Sequence, residues 1–195
     1  MLNASLLPLS NDRASIRPLH PNDATAFAQG TKDPLVQEYA HLPESSYTPD
    51  SAAAMIHGDA SAGLERGDLA VLAIAEPMDG TFAGSLVFFN VAAESAEVGF
   101  WVHPEYRGSG MSAAALELSV DFARHSELKK LTARTAIENT PSQYVLARAG
   151  FHEVSRGRGT TPSGSVIDLI HYARSLDESA LGRELDPAGT GSAPD

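Results

Sequence analysis

The stretch that decides the fold is residues 97–112, EVGFWVHPEYRGSGMS. It starts inside a predicted strand, Ala96–Val102, whose two faces both carry large apolar side chains, which is typical of a central strand. A glycine-bearing bend follows, and then a helix is predicted over Gly110–Arg124. The apolar residues of this helix recur at the spacing of one helical face: Met111, Ala114, Ala115, Leu118 and Phe122.

The bend between this strand and helix has the composition of an anion site. Glycines let a phosphate approach backbone N–H groups, and a helix start adds about half a positive charge. Arg107 supplies a cation at the same place. The sequence therefore predicts a local site for an anionic ligand, although a plain connecting turn explains Gly108 and Gly110 equally well.

The same letters also fit the dinucleotide-binding pattern G-x-G-x-x-A, through Gly108, Gly110 and Ala113, with Glu138 at the end of the next strand. Two features disfavour this interpretation. Five residues separate the strand from the first glycine, whereas the dinucleotide turn follows its strand directly. The strands predicted upstream also do not belong to a doubly wound parallel sheet.

A second motif, ENTPSQ at residues 138–143, lies at the next strand–helix junction. Read locally, Thr140 is the N-cap, Pro141 is the first helical residue and Gln143 completes a capping box. This assignment leaves Asn139 and Ser142 for another role, or for ordinary turn and surface positions.

Outward from these motifs, the pattern predicts an α/β fold with a mixed, mostly antiparallel sheet of six to seven strands and helices on both faces. Closely spaced strands over Leu69–Ala75, Phe82–Asn90 and Ala96–Val102 indicate an antiparallel meander. The remaining predicted strands are Ala14–Arg17, Lys129–Ile137, Phe151–Ser155 and Val166–Ala173. The remaining predicted helices are Ala24–Gln29, 34–39, Ser51–Arg66 and Pro141–Ala149.

Length and composition limit the possible classes of protein. The 195 residues fit one domain, predicted over 13–175 between a flexible lead-in at 1–12 and an acidic, disordered tail at 176–195. The net charge of −11 offers no basic surface for nucleic acid. The absence of cysteine excludes disulfides and a cysteine acyl intermediate.

The sequence lacks the patterns of a targeting signal, a membrane span and a metal site. The first residues lack the basic region of a signal peptide, and no apolar run reaches the ~18 residues of a membrane span. We therefore expect a cytoplasmic protein without membrane contact. The seven histidines show no i, i+4 pair, so no metal site is expected.

Together, the two motifs make the chain resemble the GCN5-related N-acetyltransferase (GNAT) family, in its ribosomal-protein alanine acetyltransferase (RimJ/RimL-like) branch. The resemblance extends from Ile16 to Arg174. It rests on IRPL at 16–19, NDA at 22–24, EVGFWVHPEYRGSG at 97–110, ENTPS at 138–142 and AGF at 149–151.

The resemblance implies acetyl-CoA as co-substrate and a central splay in the sheet. The family pattern Q/R-x-x-G-x-G/A falls on Arg107, Gly110 and Ser112, where serine replaces the usual Gly or Ala. The CoA diphosphate is expected on the amides of 107–112, and the pantetheine beside the central strand where the splay opens. The implied cofactor-binding residues are Phe100, Trp101, Val102, Arg107, Gly108, Ser109, Gly110, Met111, Ser112, Asn139 and Ser142.

Two residues are candidates for the chemistry. Glu97 is the candidate general base, because burial on a central strand would raise its pKa, and it would act through water. The alternative is a carboxylate held by arginine or backbone donors. Ser142 is the candidate acid for the departing thiolate, as the branch suggests, because Leu146 stands where much of the family has a tyrosine.

The acceptor is predicted only by class. An α-amino group, with a pKa near 8, is partly neutral at pH 7, so a protein N-terminus is expected first and a small amine, an antibiotic or metabolite, second. Direct attack in a ternary complex is expected. A non-catalytic acyl-CoA-binding module is the alternative from another class, and a homodimer is compatible with both. Glu38, Tyr39 and His41 lie in the region that shapes the acceptor pocket in relatives, although surface-loop positions are the simpler interpretation.

Overall fold

The computed structural model describes residues 1–40, 42–44, 46–160 and 166–177. The strands in these ranges are Leu9–Ser10 (β1), Ser15–Pro18 (β2), Ala70–Ala75 (β3), Phe82–Phe89 (β4), Ser95–Val102 (β5), Lys130–Ala136 (β6), His152–Thr160 (β7) and Val166–Ser175 (β8). They form one sheet in the order β1-β2-β3-β4-β5-β6-β8-β7, antiparallel except between β5 and β6. The predicted α/β class and the mixed, mostly antiparallel sheet are confirmed, with eight strands instead of six to seven.

The helices begin and end at the residues that local chemistry favours. Asp33 and Thr48 cap helices that have proline at the start, and Gly67, with a φ of 74°, closes the helical stretch that was predicted to end there. That stretch is interrupted by a π-helical turn, Ile56–Ala60. The bounds are Ala24–Gly30 (α1), Pro34–Tyr39 (α2), Pro49–Met55 (α3), Ser61–Arg66 (α4), Met111–His125 (α5) and Thr140–Arg148 (α6).

The sheet opens between its two central strands. β5 pairs with β6 only over three positions, from Ser95↔Lys130 to Glu97↔Thr132. Beyond Glu97, β5 stays paired with β4 as far as Val102, and β6 stays paired with β8 as far as Ala136. Each strand therefore keeps its outer neighbour and loses its inner one, which produces the central splay that the family resemblance implies.

Both faces of the sheet are covered by apolar packing, as expected for a central β5. On one face Val98 and Val102 join the cluster that contains Phe88, Phe122 of α5 and other residues of α5 and α6. On the other face Trp101 packs edge to face against Phe27 and Phe82, beneath α1 and α3. Alternate residues of β5 therefore point to opposite layers.

The N-terminal segment differs from the flexible lead-in predicted at 1–12. The Leu2 side chain is buried and its N–H donates to Gly67 O at 3.0 Å, while Leu9 pairs with Ile16 in the sheet. The Asn3 N–H donates to the Ser126 hydroxyl. The segment thus packs on the domain and supplies the additional strand β1.

The C-terminal part also differs from the sequence expectation. β7 extends to Thr160, well past the predicted Ser155, because it is held by hydrogen bonds to β8 and not by an alternating apolar pattern. Leu176, assigned to the tail, is buried. The remainder of the predicted disordered tail, 178–195, lies outside the described residues. Across the described ranges, no helix is both long and apolar enough to cross a bilayer.

Candidate functional site

A sharp bend connects β5 to α5. A 3-10 turn, Pro104–Tyr106, leads into it. Gly108 and Gly110 have φ values of 78° and 85°, in the left-handed region that glycine adopts without a Cβ penalty. Apart from its two chain neighbours, no described residue has an atom within 4 Å of the point where a Gly108 Cβ would be. The glycines therefore turn the chain while leaving the outside of the bend open.

The start of α5 presents backbone donors at this bend. Its N-cap is Gly110, which has no side chain with which to cap the helix. The Ser109 hydroxyl donates to Tyr106 O at 2.7 Å and accepts from the Met111 N–H at 3.3 Å. Within the described part of the chain, the next two N–H groups, of Ser112 and Ala113, have no partner. A 15-residue helix with open N–H groups at its start can bind an anion.

Two arginines flank the bend, and one of them was missed in the sequence. The guanidinium of Arg107 turns to Asp33 and donates to both carboxylate oxygens. Arg13 instead lies over the bend. Its Nη1 is 2.9 Å from the point where a Cβ on Gly110 would be. The Arg13 side chain is 63% exposed, and its nearest carboxylate among the described residues, that of Asp12, is 3.9 Å away. A cation at the positive end of a helix is unfavourable unless an anion joins it.

The unpaired part of β5 carries the predicted pantetheine positions. Phe100, Trp101 and Val102 all follow Glu97, the last residue of β5 that pairs with β6. The side chains of Trp101 and Val102 are buried in the two cores, and that of Phe100 is partly buried. The side chains therefore fix the strand, and the backbone edge that faces the splay is open to an extended ligand.

The second motif is capped differently from the sequence prediction. Asn139, not Thr140, is the N-cap of α6, and its Oδ1 accepts the N–H of Ser142 at 3.2 Å. Gln143 completes no capping box; its amide donates back to Ala136 O and Ile137 O. The Asn139 oxygen therefore caps the helix, and its NH₂ can donate to a ligand. The Ser142 hydroxyl makes no hydrogen bond with the described residues.

Glu97 lies at the apex of the splay but is not an isolated carboxylate. Its Oε2 accepts from Asn90 at 3.0 Å, and Oε1 is 2.8 Å from Arg134 Nε. The structure thus shows the alternative arrangement, a carboxylate held by arginine, and the role of Glu97 as general base stays a prediction. Oε1 is nevertheless buried and receives no hydrogen bond of good geometry from a described residue, so it can still accept a proton donor. It lines a cleft of about 280 Å³ with Thr132, Arg134, Ser155 and His171.

A second cleft, of about 440 Å³, was not predicted as a unit. It lies where β6 ends and β8 begins, against α2, and three carboxylates line it, those of Glu38, Glu138 and Asp168. Tyr39 lines it too, and interaction with the carboxylate of Glu38, and more weakly with that of Glu138, raises the pKa of its phenol. His41, the other residue predicted near an acceptor pocket, lies outside the described residues.

Glu97 and Ser142 belong to different layers. Glu97 shares its face of the sheet with Trp101, and α6 packs with α5 on the opposite face. Glu97 pairs with Thr132 of β6. From Thr132 to the end of the strand at Ala136 the distance is about 13 Å, because a strand rises about 3.3 Å per residue. Glu138, in the turn before α6, is the carboxylate nearest to Ser142 in the sequence. The sequence analysis gave Glu138 no role in the chemistry.

The sequence comparisons agree with this geometry. A family model described as an acetyltransferase (GNAT) domain matches residues 13–152. The chain is 30% identical over 99 residues to YdaF of Bacillus subtilis (strain 168), named as a candidate ribosomal N-acetyltransferase. That match covers 49% of this chain and 54% of YdaF, so the chain spans about half the length of this relative.

Solved structures share the fold across most of the chain. RimJ of Mycobacterium smegmatis, solved with a CoA disulfide, is 26% identical, with a TM-score of 0.73 over 87% of this chain and 84% of RimJ. The ribosomal-protein-S5-alanine acetyltransferase of Vibrio fischeri has a TM-score of 0.76 over 88% of this chain and 98% of that chain. At 17% identity, the second likeness shows the fold alone.

Proposed function

The chain belongs to the GNAT acetyltransferase family, and from this premise we propose that it moves the acetyl group of acetyl-CoA to the N-terminal α-amine of a protein. The observation that carries the proposal is the pairing of two features at the end of β5: a splay and a glycine bend that opens onto helix N–H groups. An extended thiol carrier with an anionic diphosphate matches both features at once.

The donor half of the site consists of backbone and two cations. The amides of residues 107–112 would hold the diphosphate, with Arg13 above Gly110 as a second cation beside Arg107. The pantetheine would lie beside the open edge of Phe100–Val102. The NH₂ of Asn139 and the hydroxyl of Ser142 would face it from the start of α6.

The acceptor half is acidic and elongated, which favours a peptide over a small amine. Three carboxylates in the 440 Å³ cleft attract a protonated amine. The smaller cleft lies on the sheet beside it, because Arg134 and Ala136 are alternate residues of β6 and share one face. The two clefts together run along β6 and β8, which gives room for several residues of an extended peptide. YdaF, named for a ribosomal acceptor, supports the same choice.

The chemistry requires two proton movements. As the amine nitrogen forms a bond to the acetyl carbon, Glu97 would take the amine proton through water. The carbon–sulfur bond then breaks, and the departing thiolate would take a proton from the Ser142 hydroxyl, which regains one from water. Since the chain has no cysteine, an acyl-cysteine intermediate cannot form, and attack takes place directly on the thioester in a ternary complex.

The function is tested by thiol release from acetyl-CoA with a panel of acceptors. The panel contains peptides with free N-terminal Ala or Ser, the same peptides with blocked N-termini, lysine-containing blocked peptides and small amines. We expect turnover only with free N-termini, verified by a mass gain of about 42 Da, one acetyl group, that fragmentation assigns to the first residue. Turnover confined to small amines would contradict the proposal of a protein acceptor. CoA binding with no turnover on any acceptor would contradict the proposal that the protein is an enzyme.

The role of Arg13 gives a separate prediction. Replacing it with glutamine, Arg13→Gln, should weaken CoA binding by about threefold to tenfold, the effect of one exposed charge-assisted contact. Acetyl-pantetheine, which lacks the diphosphate, should react equally well with both proteins. Asp12→Asn, which changes the neighbouring charge, serves as the control. Calorimetry measures the affinity; equal loss with both donors would remove Arg13 from the diphosphate site.

A further inference from the structure

Arg107, the arginine of the bend, is occupied in the structure. Its Nη1 donates to Asp33 Oδ2 at 3.4 Å, and its Nη2 donates to Oδ1. The side chains of Arg107 and Asp33 are 35% and 15% exposed, so the pair is only partly screened by solvent. The diphosphate site is therefore connected to a carboxylate that is distant in the sequence.

Asp33 has a second role, at the start of α2. Its Oδ1 accepts the N–H groups of Leu35 and Val36, each at 3.1 Å, and so caps the helix. One carboxylate thus contacts both the bend and α2. Because α2 ends at Tyr39, the same short helix carries Glu38 and Tyr39 into the acidic cleft.

Among the described residues, α2 packs little against other elements. It has six residues, and Val36 is the buried one among them. The preceding helix is packed tightly, since a Cβ on Gly30 would be 2.4 Å from the Trp101 ring. α1 is therefore held against the sheet, whereas α2 buries one residue, and within the described ranges the ion pair of Asp33 is a contact that anchors α2.

We propose that Asp33 and the CoA diphosphate compete for Arg107, so that binding of the donor releases α2 and adjusts the acceptor cleft. This inference rests on the proposed function. A diphosphate carries two negative charges against one on Asp33, so the guanidinium favours the diphosphate once it is present. Released from Arg107, Asp33 keeps its cap on α2 but no longer connects the helix to the bend.

The ionisation of Asp33 is consistent with this competition. Its hydrogen bond with Arg107 holds the pKa of the carboxyl below its usual value, and the N–H groups of Val36 and Leu35 act in the same direction. The carboxylate is therefore charged at neutral pH in the free protein, and the pair is formed before the donor binds.

Asp33→Asn separates the two roles of the residue. Asparagine is as good an N-cap as aspartate, but it lacks the charge that holds Arg107. Coenzyme A is titrated by calorimetry, and amide hydrogen exchange is followed in residues 34–39 of the same samples. In the unsubstituted protein, we expect CoA to speed this exchange several-fold. In the variant, exchange should be fast without CoA and unchanged by it, and CoA should bind about threefold to tenfold tighter.

Glu105→Gln is the matched control. It removes one negative charge from the 3-10 turn before the bend; the Glu105 side chain is 78% exposed, lies 3.9 Å from His103 Nδ1 and forms no ion pair with Arg107. Tighter CoA binding by this variant to the same extent, weaker binding by Asp33→Asn, or unchanged exchange in the CoA-bound unsubstituted protein would each overturn the competition while leaving the proposed function intact. If the unsubstituted protein fails to bind CoA, the proposed function fails and this inference with it.

Discussion

Gly110→Trp should abolish measurable acetyl-CoA binding, with an increase in Kd of at least about 100-fold, or about 2.7 kcal/mol. Gly110 is the N-cap of α5, and its φ of 85° directs any side chain toward Arg13 Nη1, 2.9 Å from the Cβ position. An indole there would cover the open N–H groups of Ser112 and Ala113 and displace the arginine. Calorimetry with CoA measures the effect.

The control for this substitution is Gly80→Trp. Gly80 also has a positive φ, 73°, in the turn between β3 and β4, and among the described residues the nearest atom to its Cβ position is Arg17 Nε at 4.0 Å. Both variants carry a similar backbone penalty of about 1–2 kcal/mol, so a difference in CoA affinity reports on the bend. Unchanged affinity in a folded Gly110→Trp protein would count against the diphosphate assignment.

Glu97→Gln should lower kcat by about 100-fold, the lower end of general-base contributions, and should flatten the rising limb of the pH–rate profile. The amide can still accept from Asn90 and keeps the shape of the side chain, but it cannot take a proton. CoA affinity should not change, because Glu97 precedes the open part of β5. Initial rates with an N-terminal peptide, measured across pH, provide the comparison.

Glu138→Gln is the informative partner of this substitution. Glu138 lines the acidic cleft and directly precedes the cap of α6. If Glu97 is the base, Glu138→Gln should raise the acceptor KM more than it lowers kcat, since its charge serves only to attract the amine. The opposite result, a normal profile for Glu97→Gln and a flattened one for Glu138→Gln, would transfer the role of base to Glu138.

The framework of the fold could be predicted from local patterns. The apolar residues of β5 and the helical repeat of α5 mark the two elements that form the bend, and the close spacing of β3, β4 and β5 gives the meander. β1 and the second half of β7 could not be predicted in this way. Both owe their existence to hydrogen bonds with a neighbouring strand, which leave no periodic signal in the sequence.

The sequence predicts the parts of the site that backbone conformation determines. It does not predict which side chains form hydrogen bonds and ion pairs with the site residues. The bend follows from its glycines, whose φ values only glycine adopts readily. The partners of Glu97 and Arg107 are determined by the register of the sheet and by the position of α2, which connect residues far apart in sequence. Pro141 and Gln143 made Thr140 the predicted N-cap of α6, but the helix begins one residue earlier, with Asn139 as its cap.

The central claim is that the bend at residues 107–112 holds the diphosphate of CoA while the thiol arm lies in the splay. A crystal structure of the protein with CoA tests it most directly. We predict phosphate oxygens within hydrogen-bond distance of the Ser112 and Ala113 N–H groups, with the pantetheine alongside Phe100–Val102. CoA bound elsewhere, with the bend and the splay both empty, would contradict the account.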